Sequence, residues 1–334
     1  MRSMYFSRQI TRFFAFALCL LIFGCAGTTK VSTESVDFAE QESAEIPVYE
    51  PTVNEGVLFP DISNPEQLTF GKFDNGIGNI HPDGDKIVYQ SFKNDKWQLW
   101  EMNFSESSPS MLLEGESDLE NPIWSNDGSV VLYVQTEGGG SEWDREIYMY
   151  DPVEEVSARL TNSNGDDWFP VIVDESNYIF MTERDANVGN PLDRSNSIYM
   201  GSLDGTSPTL ITDPASNFSS PAFVDKNRLI VLTAEARLAI YNNDTGSVDI
   251  ITPSRLECGT CDYSNSAGMV VFTSVNGDNS LLYIMDIESR VLQEVSLAGE
   301  TIRYPRFSPD GNWLLYSSLS EGHFQLFRIN LSSS

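Results

Sequence analysis

Cys258 and Cys261, in the tetrapeptide CGTC, are the first residues whose type and spacing could do chemistry. Two thiols three positions apart can ligate a metal, shuttle electrons or close a disulfide. A redox dithiol wants a helix N-terminus to lower a thiol pKa, and this pair precedes a strand-like run. Haem attachment would need His at 262, where Asp262 stands. A structural disulfide between Cys258 and Cys261 is therefore the expectation, given the oxidising compartment argued below. The only histidines, His81 and His323, lie in the approach to a turn and in the loop SEGHFQ, places that suit structural or exposed roles. NSNGDDW, residues 162–168, gathers acids, but its Gly is misplaced and no Glu closes a twelve-residue frame. It reads as a turn, and a divalent cation is the one cofactor left open. The chain carries no G-x-S-x-G elbow, P-loop or H-E-x-x-H, so no residue is assigned to catalysis and none to a metal.

The elements that must position these residues show themselves by repetition. In SPDGNWLLYSS, Pro309-Asp310-Gly311-Asn312 has turn chemistry and Trp313 to Tyr316 suits a strand. Tyr316 of this stretch corresponds to Tyr89, Tyr133, Met181, Leu232 and Phe272 in five earlier copies, at intervals of 44, 48, 51, 40 and 44 residues. Eleven positions before that anchor stands Pro122, Pro170, Pro221 or Pro305 in four copies, and Gly78 or Cys261 in the other two. A second strand signal follows each hairpin (LWEM, IYMY, IYM, LAIY, LYIM, LFRI), and in five copies a short apolar run ends the unit. Four strands per unit at a period of 40 to 51 residues predict a β-propeller of six blades. The sixth unit lacks its last strand, and an unmatched EQLTF precedes the first. Placing residues 66–70 as the outer strand of the last blade closes the ring and removes an exposed edge.

The pattern P-x-[WF]-S-P-D-G, followed by an apolar strand and then [IL]-[YWF], resembles the PD40 repeats of the TolB-like six-bladed propeller family over residues 65 to 331, most closely in blades one, two and six. The resemblance implies an all-β six-bladed propeller. It also implies either a protein-binding or scaffolding platform or an accessory domain of a peptidase. The TolB protein carries an α/β domain before its propeller, where this chain has only the segment described next.

Residues 1–24 carry three arginines and then the apolar run FFAFALCLLIFG, the layout of a secretory signal. LIFGC resembles the lipobox of bacterial lipoproteins, in which the cysteine, here Cys25, is lipidated and becomes the mature N-terminus. Ala26, rather than Asp, after Cys25 points to the outer membrane, facing the periplasm or the exterior. Residues 25–60 are rich in Ser, Thr, Glu and Pro and predict a flexible acidic tether, leaving 61–334 for the propeller. The full chain has a formal net charge of −29; without residues 1–24, 17 basic residues face 49 acidic ones. Such a surface repels phosphate backbones and excludes nucleic acid as a partner.

In four-stranded up-and-down blades, the loops between second and third strands and the links between blades emerge on one face, opposite the PDG turns. The long loops at 136 and 182 and the links NSNGDDW, DPASNF and PSRLECGTCDY all fall on that face. It gathers Trp143, Asp144, Arg145, Asp166, Asp167, Trp168, Arg184, Arg255, Arg303 and Tyr304 as a candidate binding face. Aromatic and Arg anchors suit an interface or a polar ligand, with the acids around them left in water to set orientation; the plainer reading is that Trp143 and Trp168 cap the blades. The expectation is a monomeric, lipid-anchored, non-enzymatic platform for an envelope protein or peptide. Two alternatives stay open: a hydrolase or lyase with carboxylates, with or without a metal, at the channel mouth, and a saccharide- or peptide-binding module.

Overall fold

The protein is described by a computed structural model over residues 64–137, 144–186, 195–277, 279–295 and 301–331. The signal segment, Cys25, the tether and Trp143 lie outside the described residues. Among the described residues no helix is long and apolar enough to cross a membrane.

Six four-stranded antiparallel sheets follow one another along the chain, as the repeat predicts. Their inner strands are Asn75–Ile80, Leu119–Trp124, Asp167–Ile172, Ser219–Asp225, Cys258–Ser264 and Ile302–Phe307, in blades one to six. Each packs against the next and the sixth packs against the first, so they form a closed ring around a central channel.

The second strands explain why this sequence folds this way. Ile87, Val88 and Tyr89 are consecutive and all buried, because each blade is covered on both faces by its neighbours. Ile87 and Tyr89 point one way, into a cluster with Leu315 of blade six; Val88 points the other way, towards Trp124 and Tyr133 of blade two. The alternation repeats around the ring: Leu132 and Val134 meet Tyr178 and Phe180, Ile179 and Met181 meet Leu229 and Val231, and Val271 meets Leu314 and Tyr316. The core is thus six layers between blades. The anchor column of the repeat supplies one large buried side chain to each blade.

The ring closes where the sequence places the closure. Glu66 and Gln67 pair with Arg328 and Phe327 as the fourth strand of blade six, and the Leu68 amide donates to the Leu326 carbonyl at 2.8 Å. Thr69 Oγ1 then accepts from the Leu326 amide at 2.8 Å. The Arg328 side chain clamps the seam: its Nε donates to Glu66 at 2.7 Å while its guanidinium stacks on Phe104 and Trp313.

The turn face is held by its aspartates. In the second blade Asp127 accepts from the Ser125 hydroxyl at 2.6 Å and from the Ser129 amide at 3.0 Å, bonds that hold its carboxyl below the usual carboxylate range. His81 joins this turn to the one before it. Its Nδ1 accepts from the Asp83 amide at 3.1 Å, which leaves Nε2 to carry the proton and donate to the Gly128 carbonyl at 3.3 Å. His81 is buried and structural.

Every inner strand shifts register near its start, between Gly76 and Gly78, Glu120 and Ile123, Trp168 and Val171, Ser219 and Ala222, Cys258 and Cys261, and Arg303 and Arg306, and the strand of blade four shifts again between Phe223 and Asp225. Within five of these bulges a non-glycine residue has positive φ: Ile77, Asn121, Phe169, Ser220 and Tyr304. All five stand twelve positions before the anchor of the repeat, and four precede a proline. Bulges re-aim side chains, and these turn one residue per blade away from the sheet. The bulged backbone is tied down by the preceding blade, as where Gln90 accepts from the Asn121 amide at 2.8 Å and Thr260 from the Tyr304 amide at 3.3 Å.

Cys258 and Cys261 flank one of these bulges, and here the structure departs from the expected disulfide: both are free thiols and both are buried. The pair lies inside an inner strand rather than in a turn, opposite Ser274 and Phe272 of the next strand. Each sulfur has its own acceptor. Cys261 Sγ donates to the Ser220 carbonyl at 3.2 Å and Cys258 Sγ to the Leu256 carbonyl at 3.9 Å. Burial pushes the Cys261 thiol up to about 12 and raises that of Cys258 as well, so neither is a reactive thiolate.

Candidate functional site

The channel is floored by two residues from facing blades. The Arg306 guanidinium of blade six stacks over the Phe169 ring of blade three at 4.6 Å. Arg306 Nη1 also donates to the Cys261 carbonyl at 3.4 Å and lies 3.6 Å from the carboxylate of Asp262, which in turn accepts from the Phe307 amide at 2.8 Å. Arg306 and Phe169 are each 7% exposed, so the contact is removed from water. Burial raises the pKa of Asp262, and the Arg306 charge only partly offsets it.

Above this floor stands a charged mouth. Arg145 opens the third strand of blade two, and its Nε lies 3.6 Å from Glu120 on the inner strand of the same blade. Its Nη1 lies 3.6 Å from Asp166 on the link to blade three, while the Arg145 amide donates to the same carboxylate at 3.1 Å. Its guanidinium is 5.8 Å from the Trp168 ring. Burial pushes the Glu120 carboxyl upward against the opposing pull of Arg145. On the other side are Arg303, which stacks on Phe324 at 4.3 Å, and Tyr304. Burial raises the Tyr304 phenol, against the opposing pull of the Arg303 charge.

The structure therefore brings together Arg145, Asp166, Trp168, Arg303 and Tyr304 of the expected face. It sets the others elsewhere. Asp144 and Arg255 are exposed on their loops. Asp167 and Arg184 are spent on each other within blade three: Arg184 Nη2 donates to Asp167 at 2.7 Å, and the Thr182 hydroxyl donates to the same carboxylate. Arg184 also stacks on Tyr199 at 4.6 Å. Asp166 and Asp167 are 4% and 0% exposed, so of the acids of this face only Asp144 stays in water as expected. Next to them Glu146, fully buried, accepts from Thr161 at 2.6 Å, the Ser163 amide at 2.8 Å and Arg159 at 2.9 Å. Burial holds both Glu146 and Asp167 above the ordinary carboxylate range. NSNGDDW is accordingly a link that bends at Asn164-Gly165 and runs into the inner strand at Asp167, and its acids are taken up by Arg145 and Arg184.

Glu120, Phe169, Asp262 and Arg306 escaped the sequence reading. Their signal was present: each stands ten to thirteen positions before the anchor, beside the proline column, where a strand residue faces the channel. Among the described residues no group of three or more His, Cys, Asp or Glu is placed to hold a metal ion.

No family model matches the chain, and no curated protein is similar to it. Many solved structures share its fold. TolB from Acinetobacter baumannii is 22% identical with a TM-score of 0.59 over 72% of this chain and 58% of that one, so the chain spans less than two thirds of that protein. A putative TolB from Agrobacterium tumefaciens is 17% identical with a TM-score of 0.60, over 79% of this chain and 92% of the other. An oligogalacturonate lyase in complex with manganese is 11% identical with a TM-score of 0.56, over 81% and 96%. These likenesses establish the six-bladed propeller that the PD40 resemblance implies.

Proposed function

We propose that this chain is a binding platform of the bacterial cell envelope, anchored through a lipidated Cys25, whose channel mouth takes up a polar segment of a partner protein. The observation that carries the reading is the mouth itself. Arg145, Arg303 and Tyr304 converge above a floor closed by Arg306 and Phe169, with Glu120 and Trp168 at the side. Guanidinium and phenol donors match backbone carbonyls and carboxylates, and a low-exposure setting strengthens each such bond. The side chains are held by one another before any partner arrives, which lowers the ordering cost of association. A TolB-like fold is in keeping with such a role, since the resemblance implies platforms of this kind.

The test is site-specific photo-crosslinking in membranes. A benzoylphenylalanine replacing Trp168 should capture a discrete partner, and one replacing Asn312 on the turn face should not. Capture confined to position 312 would overturn the reading. So would turnover of an oligosaccharide or peptide by the purified protein that is lost in Glu120→Gln or Tyr304→Phe, which would make the mouth an active site. The anchor is checked by Cys25→Ala, expected to leave the membrane fraction or accumulate as precursor.

A further inference from the structure

The junction of blades six and one is open on the turn face. The tight turns of blades one, two and six are equivalent in the repeat, and two of them press on the preceding blade: a Cβ at Gly128 would collide with the His81 ring, and one at Gly311 with the hydroxyls of Ser264 and Ser266. A Cβ at Gly84, between blades six and one, would meet nothing within 4 Å. The gap is a cavity of about 350 Å³ whose apolar walls come from both blades, Pro82 and Phe104 from one and Pro309 and Trp313 from the other. Two of the polar groups that line it are already occupied. Asp310 accepts from the Asn312 amide at 3.0 Å, and Arg328 Nε donates to Glu66 at 2.7 Å. What the cavity offers is uncovered apolar surface, and a void forfeits the dispersion contacts its walls would otherwise make.

The chain itself arrives at this cavity. The strand His323–Asn330 of blade six runs from the mouth face to the turn face, and Glu66 pairs antiparallel with Arg328 on it. The residues before Glu66 therefore approach from the turn face. Cross-strand partners share a side of the sheet, so Glu66 lies on the side of Arg328, the side that walls the cavity. Upstream stands VLFPDI, residues 57–62, just outside the described residues. Val57-Leu58-Phe59 is the only run of three large apolar residues between 26 and 63. Phe59 is seven residues before Glu66, a reach of up to about 23 Å at about 3.3 Å per residue.

We propose that residues 57–62 fold back into this cavity, with Leu58 and Phe59 covering the apolar walls between blades six and one. Position selects this occupant, because the register of Glu66 with Arg328 delivers the chain there. A segment joined by so short a link competes at an effective concentration in the millimolar range, which a separate partner must exceed. Charge selects the same stretch: Val57 to Pro60 carry none, whereas the acids in the rest of 26–63 are repelled by Asp83 and Asp310 at the cavity. The docked segment reinforces the closure where the last strand of blade six is only Glu66 and Gln67. It also sets the chain that leads back to Cys25 on the turn face, opposite the mouth. The docking is independent of what the mouth binds.

The experiment is hydrogen–deuterium exchange of the full-length protein, read by peptide mass spectrometry. Relative to their intrinsic rates, amides of residues 57–62 should exchange about tenfold or more slower than those of 27–50. That protection should be lost in L58D/F59D and in Gly84→Phe, which puts a ring into the cavity, while peptides from the inner strands stay as protected as in the parent chain. Exchange of 57–62 as fast as that of 27–50 overturns the proposal, as does protection that survives either variant. Protection that develops only as protein concentration rises would assign the cavity to a second copy of the chain and overturn it equally.

Discussion

The guanidinium carbon of Arg306 lies 4.6 Å from the centroid of the Phe169 ring, although the two residues belong to inner strands of blades three places apart in a ring of six. The contact spans the channel. Phe169 reaches it from a backbone at φ +55°, inside the bulge of its strand. Conformations of this kind cost of order 1 kcal/mol or more and persist where the surroundings over-determine them.

That contact should be measurable as a coupling. Phe169→Ala is expected to destabilise the fold by about 3 kcal/mol, as for other buried aromatics. In a double-mutant cycle with Arg306→Met, read by urea denaturation, the coupling should be about 1 kcal/mol. Additivity of the two substitutions would mean that the stacking contributes nothing.

Ring closure rests on a few residues. Removing residues 64–70 strips the last strand of blade six, the buried Leu68 and the Thr69 cap of the Leu326 amide. The cost should be about 3 kcal/mol, while removing 27–50 should cost nothing measurable. Equal melting of the two truncations would contradict the closure.

The two faces titrate in opposite senses. Glu120, Glu146, Asp167 and Asp262 have folded-state pKa values raised by burial, so their ionised forms weigh against the fold at neutral pH, and that penalty is relieved as pH falls through those values. Asp127, Asp174, Asp225 and Asp310 are held low by hydrogen bonds, so what they contribute is present above about pH 4 and is lost as pH falls through their depressed values. Stability should therefore rise as pH falls from neutrality through the raised values and fall again once pH passes through the depressed ones. Melting temperatures across that range check it; a maximum above about pH 7 would refute the assignment.

Equivalent glycines should differ in what they tolerate. Gly84 and Gly128 both have φ above +70°, but a Cβ at Gly84 meets open space and one at Gly128 collides with the His81 ring. Gly84→Ala should cost about 1 kcal/mol from backbone strain alone, and Gly128→Ala about twice that. Similar denaturation midpoints would remove His81 from its structural role.

Cys258 and Cys261 should resist iodoacetamide at about pH 8 in the native protein and react fully once it is denatured, since burial holds both as thiols. Peptide mass spectrometry without reductant reads the result. Recovery of a 258–261 disulfide from native protein would show that the expectation from the compartment was right and the free-thiol geometry wrong.

The repeat of turn, apolar strand and aromatic anchor determined the architecture, because a blade buries both its faces only against copies of itself and a period of 40 to 51 residues admits little else. The closing strand followed from the same logic, one unit being short where the chain ends and one strand being spare where the repeats begin. Which face carries the long loops was equally legible, since up-and-down connectivity fixes it. The partnering of charges was not. Asp166 and Asp167 are adjacent in the sequence, yet one, on the link, turns to Arg145 of blade two and the other, opening the inner strand, to Arg184 within blade three. The meeting of Arg306 with Phe169 needed more still: residues 137 apart in sequence come together only once six blades have closed and a bulge has turned a ring inward. Local periodicity fixes what each strand buries against its neighbours, but contacts across the channel depend on the diameter of the finished ring, which no single repeat contains.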